Sequence, residues 1–478
     1  MTMDYTNLIA GSWEDTSDGC ANVNPSDISD ILGMAAMSST ADMDRAIASA
    51  RGAAADWARA TPQMRFDVLD FIGSEILARQ AELGHLLSRE EGKTLPEGIG
   101  EATRAGQIFK FFAGECLRQT GDHLASVRPG VEVDVTRAPV GVVGLITPWN
   151  FPIAIPAWKI APALAYGNAV VLKPAELTPG CAWALAEIIS RSGLPEGVFN
   201  IVFGQGAIVG QHMVDHPEVD AISFTGSVPT GRGIAVSCAK SMTKVQLEMG
   251  GKNPMVVLDD ADLDLAVAAC LNGAFFSTGQ RCTASSRLIV TEGIHDRFVA
   301  ALTTAMQGLK VGNALEAGIQ MGPVVDARQL EQNLSYLKIA ADEGGTVIGG
   351  DRLSLAKEGF YMAPALVSET SNDMRINREE VFGPVASVLR ARDYEEALAL
   401  ANDSAFGLSA GICTRALKQA SHFKANVEAG MVMVNLPTAG VDYHVPFGGT
   451  KGSSYGACEQ GSYAAEFYTR VKTAYTLP

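Results

Sequence analysis

The sequence predicts an α/β protein built on a doubly wound, mostly parallel sheet. Strand and helix patterns alternate along most of the chain. The buried strands VGVVGLI (140–146), AVVLKP (169–174) and VFNIVFG (198–204) are separated by helical segments, which is the rhythm of parallel strand–helix–strand units. A second run, from PMVVL (254–258) to RLIVT (287–291), repeats it. We therefore expect two α/β units in one chain.

The other elements follow from local patterns. The alternation in VEVDVTRA (131–138) predicts a strand, and the C-terminal AAEFYTRVKTAYTLP (464–478) predicts another. Thr40 and Asp42 are start signals for an alanine-rich helix. Helices are predicted at 41–60, 66–87, 104–117, 157–166, 182–193, 262–276 and 295–306.

Composition limits the class of function. Of the 478 residues, 47% are hydrophobic and 19% are charged, which is typical of a folded globular protein. The formal net charge of −16 argues against nucleic acid as a partner, because its phosphates would be repelled. Residues 1–19 lack the apolar core of a targeting peptide. Prolines and Lys159 interrupt the apolar stretch 140–172, so we expect no membrane span.

Cysteine usage points to one unusual thiol. The eight cysteines include no CxxC pair, so we expect no disulfide framework, no metal site and a reducing cytoplasm. Cys270 lies on the apolar face of the predicted helix 262–276 and is typical of a core residue. Cys282 differs, because GQRCTASSR (279–287) surrounds it with small and polar residues and places Arg281 beside it. A reactive thiol needs such access and a field that favours the thiolate, whereas a plain buried thiol is the competing interpretation.

Two further segments offer what a cysteine nucleophile requires. Glu248 precedes two glycines in EMGGKNP (248–254) and is suited to act as a general base. Asn150, in TPWNFP (147–152), follows a buried strand, and its amide is a suitable donor to an oxyanion. A solvated glutamate and an ordinary turn asparagine are the competing interpretations.

Phosphate-binding signals are weaker. GQGAIVG (204–210) lacks the spacing of a GxGxxG loop, so a helix entry explains it as well as a phosphate contact does. In FTGSVPTG (224–231) a helix is expected to begin near Val228, which would bring backbone N–H groups to a pyrophosphate. Lys173 and Glu176, at the end of another strand, are suited to hold ribose hydroxyls. An ordinary turn explains each segment too.

Taken together and in order, these motifs resemble the NAD(P)-dependent aldehyde dehydrogenase superfamily over essentially the whole chain. Each motif is short, but the ordered set is highly specific. The motifs are VNP (23–25), TPWNFP, KPAE (173–176), FTGS (224–227), EMGGKNP, GQRC (279–282), EEVFGPV (379–385) and PFGG (446–449).

The resemblance implies a fold of three parts. A Rossmann-type NAD(P)-binding domain would comprise residues 1–119 and 139–247, and an α/β catalytic domain residues 248–445. A small β arm for oligomerisation would comprise residues 120–138 and 459–478, with its first part pairing with the C-terminal strand of a neighbouring subunit. A homo-oligomer, either a dimer or a dimer of dimers, would follow.

The resemblance also implies a reaction. Cys282 would attack the aldehyde carbon, and Asn150 with the Cys282 backbone N–H would stabilise the oxyanion. Hydride would pass to NAD or NADP, and Glu248 would activate water to hydrolyse the thioester. Glu248 also favours water over coenzyme A as the acyl acceptor. Lys159 matches the family lysine assigned to proton relay.

Further residues would bind the cofactor. Lys173 and Glu176 would hold the adenosine ribose, and Ser227 the pyrophosphate. Glu380 would hold the nicotinamide ribose, with Phe382 beside the ring. Glu176 would crowd the 2′-phosphate of NADP, which favours NAD. The full predicted set is Ile146, Thr147, Pro148, Trp149, Lys173, Glu176, Gly206, Phe224, Gly226, Ser227, Gly250, Glu380 and Phe382.

A carboxylated aldehyde would require an arginine in the substrate pocket, because a bidentate guanidinium–carboxylate pair is strong and directional. Arg104 and Arg281 are the candidates, and a salt bridge elsewhere is the competing interpretation of each. Trp158 stands where succinate semialdehyde dehydrogenases usually carry an arginine. The predicted pocket residues are Arg104, Phe151, Ile155, Trp158, Arg281, Thr283, Val441 and Phe447.

The C-terminal segment indicates a substrate. NLPTAGVDYHVPFGGTKGSSYG (435–456) is similar to bacterial α-ketoglutarate semialdehyde (2,5-dioxopentanoate) dehydrogenases, although Ala457-Cys458 replaces an expected Pro-Arg. Succinate semialdehyde and other acidic or sulfonated aldehydes are alternatives. Two other classes compete. A cofactor-independent cysteine hydrolase leaves KPAE, FTGS and EEVFGP unexplained, and a silent structural relative would normally lack Cys282 or Glu248.

Overall fold

The computed structural model describes residues 3–478, so the first two residues of the predicted 1–119 segment lie outside it. Helices and strands alternate as predicted. Shorter helical turns are Gly206–Gly210, Phe276–Gly279 and Ser462–Ala464. The α-helices are Thr40–Arg59, Pro62–Ala78, Gln80–Glu91, Leu95–Cys116, Ala154–Ala165, Pro179–Ser190, Gln211–Asp215, Val228–Ser241, Leu263–Phe275, His295–Gln307, Ala327–Asp342, Arg375–Arg378, Tyr394–Asn402, Leu417–Asn426 and Ala465–Tyr468.

Several helix boundaries differ from the prediction. The predicted helix 66–87 is two helices, which meet at Arg79. The helix expected to begin at residue 104 begins at Leu95, where Thr94 and Glu97 form a capping box. Pro62 and Pro96 lie in first turns, where a missing N–H costs no helical hydrogen bond, so these prolines begin helices.

Among residues 3–478, no helix combines the length and apolar character that a membrane span requires.

The first large sheet carries one edge of the candidate site. Its strands from 142 to 248 are parallel and buried, as expected for strands with helices on both faces. Because their carboxyl ends meet at one edge, residues 147–150, 226–227 and 249–251 come together there. The strand order is Ser454–Tyr455, Lys244–Glu248, Ala221–Thr225, Val142–Ile146, Ala169–Lys173, Phe199–Ile201, Asn7–Ile9 and Ser12–Glu14.

The second large sheet supplies the other edge. It is parallel apart from its first strand. Residues 249–252 run from the carboxyl edge of the first sheet to the amino edge of the second, and residues 280–284 lie beside them. The strand order is Thr346–Gly349, Ala365–Thr370, Val385–Ala391, Ser285–Thr291, Asn253–Val257, Ser409–Cys413 and Met431–Val434.

Smaller sheets complete the fold. Met3–Tyr5, Ile31–Ala36 and Gly19–Val23 form one, and Phe406–Gly407 with Thr450–Lys451 form another. None of the strands before residue 40 stands among the elements predicted from the sequence. The last small sheet has the order Thr469–Thr476, Glu132–Pro139 and Asp122–Ala125, and it corresponds to the predicted arm.

The predicted partner of the arm is wrong. Thr469–Thr476 pairs antiparallel with Glu132–Pro139 of the same chain, not of a neighbour. Two anchors bring the C-terminal strand back to Pro139. Asn168 Nδ2 donates to the Tyr468 carbonyl at 3.0 Å, and Lys244 Nζ donates to the Thr469 carbonyl at 3.0 Å.

Candidate active site

Cys282 lies in the loop that precedes the strand Ser285–Thr291, where the edges of the two large sheets meet. Asn253 Nδ2 donates to the carbonyls of Cys282 and Ala284, at 2.8 and 2.9 Å, and so ties the loop to the neighbouring strand. Gly279 enters the loop with a φ of +64°, and a Cβ there would collide with the Gly383 carbonyl. The local sequence of small residues therefore fixes the path of the loop.

Two cavities bounded by described residues meet at Cys282. One has a volume of about 260 Å³ and lies against the helix Leu95–Cys116. The other has a volume of about 280 Å³ and lies at the carboxyl edge of the first sheet. Because Cys282 lines both, two ligands bound in separate cavities would meet at its sulfur.

The first cavity brings together most of the residues predicted for the substrate. Trp158 and Phe447 stack with ring centroids 5.4 Å apart and form an apolar wall. Predicted residues that line it are Arg104, Phe151, Trp158, Arg281, Thr283, Val441 and Phe447. Residues that the sequence reasoning missed are Lys93, Glu97, Gly100, Glu101, Ala154, Ser277, Ala439 and Gly440.

The prediction for Ile155 is wrong. Its side chain lines the second cavity, not the first. Ala154 and Trp158 lie four residues apart on one face of the helix Ala154–Ala165 and line the first cavity. Ile155 is rotated about 100° from that face, since an α-helix has about 3.6 residues per turn.

Arg104 lines the first cavity without a salt-bridge partner among the described residues. Within residues 3–478 it has no carboxylate within salt-bridge distance, and its Nε has no hydrogen-bond partner. Its Nη2 donates to Gln460 at 3.2 Å, and its guanidinium carbon lies 5.9 Å from the centre of the Trp158 ring. Burial lowers the pKa of Arg104, and an anion bound beside it would offset that cost.

Arg281 has a different environment. Its Nη2 donates to Glu97 at 3.1 Å, so its charge is already neutralised. The surroundings of Cys282 in this structure favour the thiol over the thiolate. Burial and, to a smaller extent, the carboxylates of Glu380 and Glu248 raise the pKa of the Cys282 thiol to about 12.

The second cavity has the features of a dinucleotide site. Ser227 caps the helix Val228–Ser241, which begins where the sequence predicts, so the free N–H groups of that helix end lie at the cavity. Thr225 adds a buried hydroxyl with no partner among the described residues. Predicted residues that line the cavity are Pro148, Trp149, Gly226, Ser227, Gly250, Glu380 and Phe382, and missed ones are Thr225, Met249, Arg328, Gln329 and Gln332.

Glu380 is packed tightly into this cavity. The Gly251 N–H donates to its Oε1 at 2.9 Å, and a Cβ on Gly250 would collide with its carboxylate. Burial raises the pKa of Glu380 to about 7. Trp149 and Phe382 meet edge to face, with centroids 5.5 Å apart. A glycine at 250 is therefore required by the position of Glu380.

The remaining predicted cofactor residues lie outside the second cavity. Lys173 Nζ lies 2.8 Å from Glu176 Oε1, which also accepts from the Gly206 N–H at 2.6 Å. GQGAIVG is thus a helix entry that also touches the predicted ribose cluster. The others are Ile146, the last residue of its strand, Thr147, whose hydroxyl is buried without a partner among residues 3–478, and Phe224, whose ring packs beneath Gly226.

Asn150 and Glu248 approach Cys282 from the first sheet. Asn150 is buried beside the second cavity, and its Nδ2 donates to the Gln280 carbonyl at 3.0 Å. Glu248 is 2% exposed and accepts from Ser454 Oγ at 2.6 Å. It lines neither cavity in this conformation. Burial raises the pKa of Glu248 well above its usual range, and the nearby Glu459 raises it further.

A sequence model of the aldehyde dehydrogenase family matches residues 13–474. The chain belongs to the aldehyde dehydrogenase family. This aldehyde dehydrogenase is 42% identical to the alpha-ketoglutaric semialdehyde dehydrogenase of Bacillus subtilis, over 99% of this chain and 98% of the relative. It is 39% identical to the 2,5-dioxopentanoate dehydrogenase of Saccharolobus solfataricus, over 98% and 97%.

Solved structures agree with the fold. A betaine aldehyde dehydrogenase from Staphylococcus aureus in complex with NAD+ superposes on this aldehyde dehydrogenase with a TM-score of 0.96 and 35% identity, over 99% of this chain and 95% of that one. An E. coli NADP-dependent enzyme gives a TM-score of 0.95 and 35% identity, over 99% and 98%. The predicted Rossmann-type α/β fold is confirmed, and the chain is an oxidoreductase that acts on aldehydes.

Behind Glu248 this aldehyde dehydrogenase buries a connected set of polar groups. Gln246 Nε2 donates to Glu248 Oε1 at 3.1 Å, and Ser223 Oγ donates to the Gln246 amide oxygen at 2.7 Å. Lys159 donates to Ser223 at 2.6 Å and to Glu459. Glu459 was not singled out from the sequence. It lies in the EQG that follows the C-terminal motif, and only the fold shows that it faces a lysine 300 residues away.

One group among the described residues has the composition of a metal site. Asp44, His212 and His216 bring a carboxylate oxygen and two ring nitrogens within 4.8 Å of one another. The Glu218 N–H donates to His216 Nδ1 at 3.2 Å, so the ring hydrogen lies on Nε2, the atom that faces Asp44 at 3.5 Å. A metal ligand needs a bare nitrogen at that position. The predicted lack of a metal site stays a prediction.

Proposed function

We propose that this aldehyde dehydrogenase oxidises α-ketoglutarate semialdehyde to 2-oxoglutarate, with NAD or NADP as the hydride acceptor. The observation that carries the proposal is the half-buried Arg104, which has no carboxylate within salt-bridge distance among residues 3–478 and lines the cavity that ends at Cys282. A substrate carboxylate would supply that partner. Relatives with the corresponding names support this choice. The same charge disfavours a cationic substrate such as betaine aldehyde.

The chain's own groups account for the acylation step. Cys282 loses its proton to water and adds as the thiolate, through its sulfur, to the aldehyde carbon. The carbonyl π electrons move to the oxygen, and Asn150 Nδ2 and the Cys282 N–H donate to the resulting oxyanion of the thiohemiacetal. NAD or NADP, when bound, would supply the hydride acceptor for the oxidation of this carbon, and Cys282 would then hold the acyl group as a thioester. Trp158, Phe447 and Phe151 exclude water from the aldehyde while Arg104 holds the carboxylate.

Glu248 is the proposed base for deacylation. It would turn from Ser454 toward the thioester, take a proton from water, and so release the carboxylic acid and the free thiol. The glycines at 250 and 251 leave the adjoining backbone free of side chains. Hydrogen bonds through Gln246 and Ser223 connect Glu248 to the Lys159–Glu459 pair, which supports the proposed part of Lys159 in proton relay.

The proposed cofactor residues form two groups, one that lines the second cavity and one at Lys173 and Glu176. The helix end at Ser227 would hold the pyrophosphate, and Glu380 the nicotinamide ribose. Lys173 and Glu176 would hold the adenosine ribose. A 2′-phosphate would meet the Glu176 carboxylate, which favours NAD over NADP.

Assembly and location belong to the same proposal. We propose that residues 120–138 and 459–478 join subunits of a homo-oligomer, since this sheet exposes Val471 and Tyr475. The two large sheets support the division into a cofactor part and a catalytic part near residue 248. A cytoplasmic enzyme is consistent with free cysteines throughout.

The test compares substrates in variants of Arg104. Arg104→Met should lower kcat/KM about 10- to 100-fold for α-ketoglutarate semialdehyde, because a hydrogen bond to a charged group contributes roughly 1.5–3 kcal/mol. Neutral aldehydes of equal length should be unaffected. The matched control is Arg118→Met, an exposed arginine paired with Glu115. An equal loss for neutral and carboxylated aldehydes would refute the proposed substrate class, and no cofactor reduction with any aldehyde would refute the proposed function.

A further inference from the structure

A buried ion pair supports the segment that carries Asn150. Lys93 Nζ donates to the main-chain carbonyl of Asn150 and lies 3.0 Å from Glu101 Oε2. Both side chains are 2% exposed. The ammonium also lies 3.8 Å from the centre of the Phe151 ring. One buried cation thus contacts two consecutive residues of TPWNFP.

Glu101 holds the other end of the same segment. Its Oε1 accepts from the N–H groups of Ile153 and Ala154, at 3.0 and 3.1 Å. These N–H groups begin the helix Ala154–Ala165, whose N-cap residue gives no side-chain cap of its own. A carboxylate is favourable at a helix N-terminus. The pair therefore spans residues 150–154 from the carbonyl at one end to the amides at the other.

The position of the Asn150 amide depends on this support. One N–H of Nδ2 is used by the Gln280 carbonyl at 3.0 Å, and an amide NH₂ has a second hydrogen to donate. The proposed function requires that second hydrogen to reach the oxyanion on the substrate of Cys282. Stabilisation of this kind depends on donors placed before the charge develops.

We infer that Lys93 and Glu101 are positioning residues for oxyanion stabilisation by Asn150, an inference that rests on the proposed function. Neither residue lies near Asn150 in the chain, since 57 residues separate Lys93 from it. Replacing a buried ion pair by groups of similar shape is often neutral for stability. We therefore expect replacement of both residues to change the placement of the Asn150 amide more than the free energy of unfolding.

The variants are chosen so that the fold survives. Lys93→Met alone leaves the buried Glu101 without its partner, which is destabilising. The double variant Lys93→Met/Glu101→Gln removes both charges of the pair, and the glutamine oxygen still accepts from Ile153 and Ala154. Buried Glu91 lies 3.7 Å from Lys93, and because burial raises the pKa of Glu91 to about 8, this carboxyl is mainly neutral at pH 7 when the lysine is removed. The matched control is Lys110→Met, a lysine on the helix of Glu101 that pairs with Asp70 outside the site.

Three reactions of Cys282 separate positioning from a general effect. Aldehyde oxidation and hydrolysis of p-nitrophenyl acetate both form an oxyanion, whereas alkylation by iodoacetamide forms none. The double variant should lose about 100-fold in the first two, as expected when a catalytic group is misplaced by about 1 Å. Its alkylation rate and cofactor affinity should stay within about twofold of the parent. A parallel fall in alkylation would overturn the inference.

A double-mutant cycle with Asn150→Ala gives the decisive result. If the pair acts through Asn150, Lys93→Met/Glu101→Gln should cause no further loss of ester or aldehyde turnover in that background. Additive losses, or full activity of the double variant, would overturn the inference. Ester hydrolysis without aldehyde oxidation in the parent would refute the proposed function alone, and the cycle would still test the inference on the ester.

Discussion

At Cys282 the chemistry depends on one proton, because only the thiolate is nucleophilic. Burial raises the pKa of this thiol to about 12, so the thiolate fraction is small at neutral pH and rises as pH increases. We expect the rate of iodoacetamide alkylation at Cys282 to rise with pH and to show no plateau below about pH 10. Peptide mass spectrometry separates this signal from the exposed Cys20 and Cys458. A plateau near neutral pH would contradict the burial argument.

Glu248 has to lose a proton before it can act as a base. Since burial and Glu459 raise its pKa, the ionised form gains population as pH rises through the raised value, and deacylation should accelerate in the same direction. In Glu248→Gln we expect one rapid equivalent of reduced cofactor, followed by a steady-state rate lower by about 100-fold or more. Stopped-flow absorbance measures both phases. An unchanged steady-state rate in this variant would remove Glu248 from the mechanism.

The sequence predicted single residues where chemistry and local motif coincide. Cys282, Asn150 and Glu380 carry recognisable neighbours, and the structure brings them to adjoining cavities. The roles of Lys93 and Glu101 were not predicted, because EEGKT and GEATR show charged residues but not that the fold buries them. Which of Arg104 and Arg281 has a carboxylate partner was not predictable for the same reason, since it depends on which arginine contacts Glu97 in the fold.

At the scale of elements, the site depends on the turn that links the two large sheets. Gly250 lies in this turn, and a Cβ there would collide with Glu380. Gly250→Ala should displace that carboxylate and weaken NAD binding by about tenfold or more, with the unfolding midpoint changed by only a few degrees. Isothermal titration calorimetry and thermal melting measure the two quantities. Gly52→Ala is the control, since its Cβ meets open space on the exposed face of the helix Thr40–Arg59. Equal affinities in the two variants would contradict the prediction.

Element types were more predictable than their boundaries. Buried strands such as Ala169–Lys173 stand out because parallel strands covered on both faces read as continuous apolar runs. The end of one helix and the start of the next at Arg79 were not predicted, because apolar residues continue at helical spacing through this position. The strands before residue 40 were not predicted either, since they are short, and Asn7–Ile9 also takes a partner far along the chain, Phe199–Ile201.

At the scale of the whole molecule, the two α/β units follow from the sequence, but the closure of the arm does not. No local pattern predicts that the strand Thr469–Thr476 pairs with Glu132–Pro139 of its own chain. The paired residues Thr469 and Pro139 are 330 positions apart in the sequence. That pairing follows from the anchors at Asn168 and Lys244. It leaves Thr469–Thr476 and Asp122–Ala125 as the two edge strands of this sheet, so a neighbouring subunit is expected to meet an edge or a face of the arm.

The two faces of the arm differ. Side chains alternate across a strand, so Val471, Tyr475 and Leu477 share one face, and Arg470 and Lys472 share the other. The apolar residues are each more than half exposed. An exposed apolar sheet face of this kind is typical of a protein–protein contact.

We therefore expect Val471→Asp/Tyr475→Asp to shift the protein from oligomer to monomer, because two carboxylates would have to be desolvated in the subunit contact. Helix content should be unchanged, since both residues lie outside the two large sheets. Sedimentation velocity and circular dichroism measure the two outcomes. Lys472→Asp places the same side chain on the opposite face and should leave the oligomer intact. If both variants dissociate equally, the arm contributes through its overall charge, and if neither dissociates, the subunit contact lies on another surface.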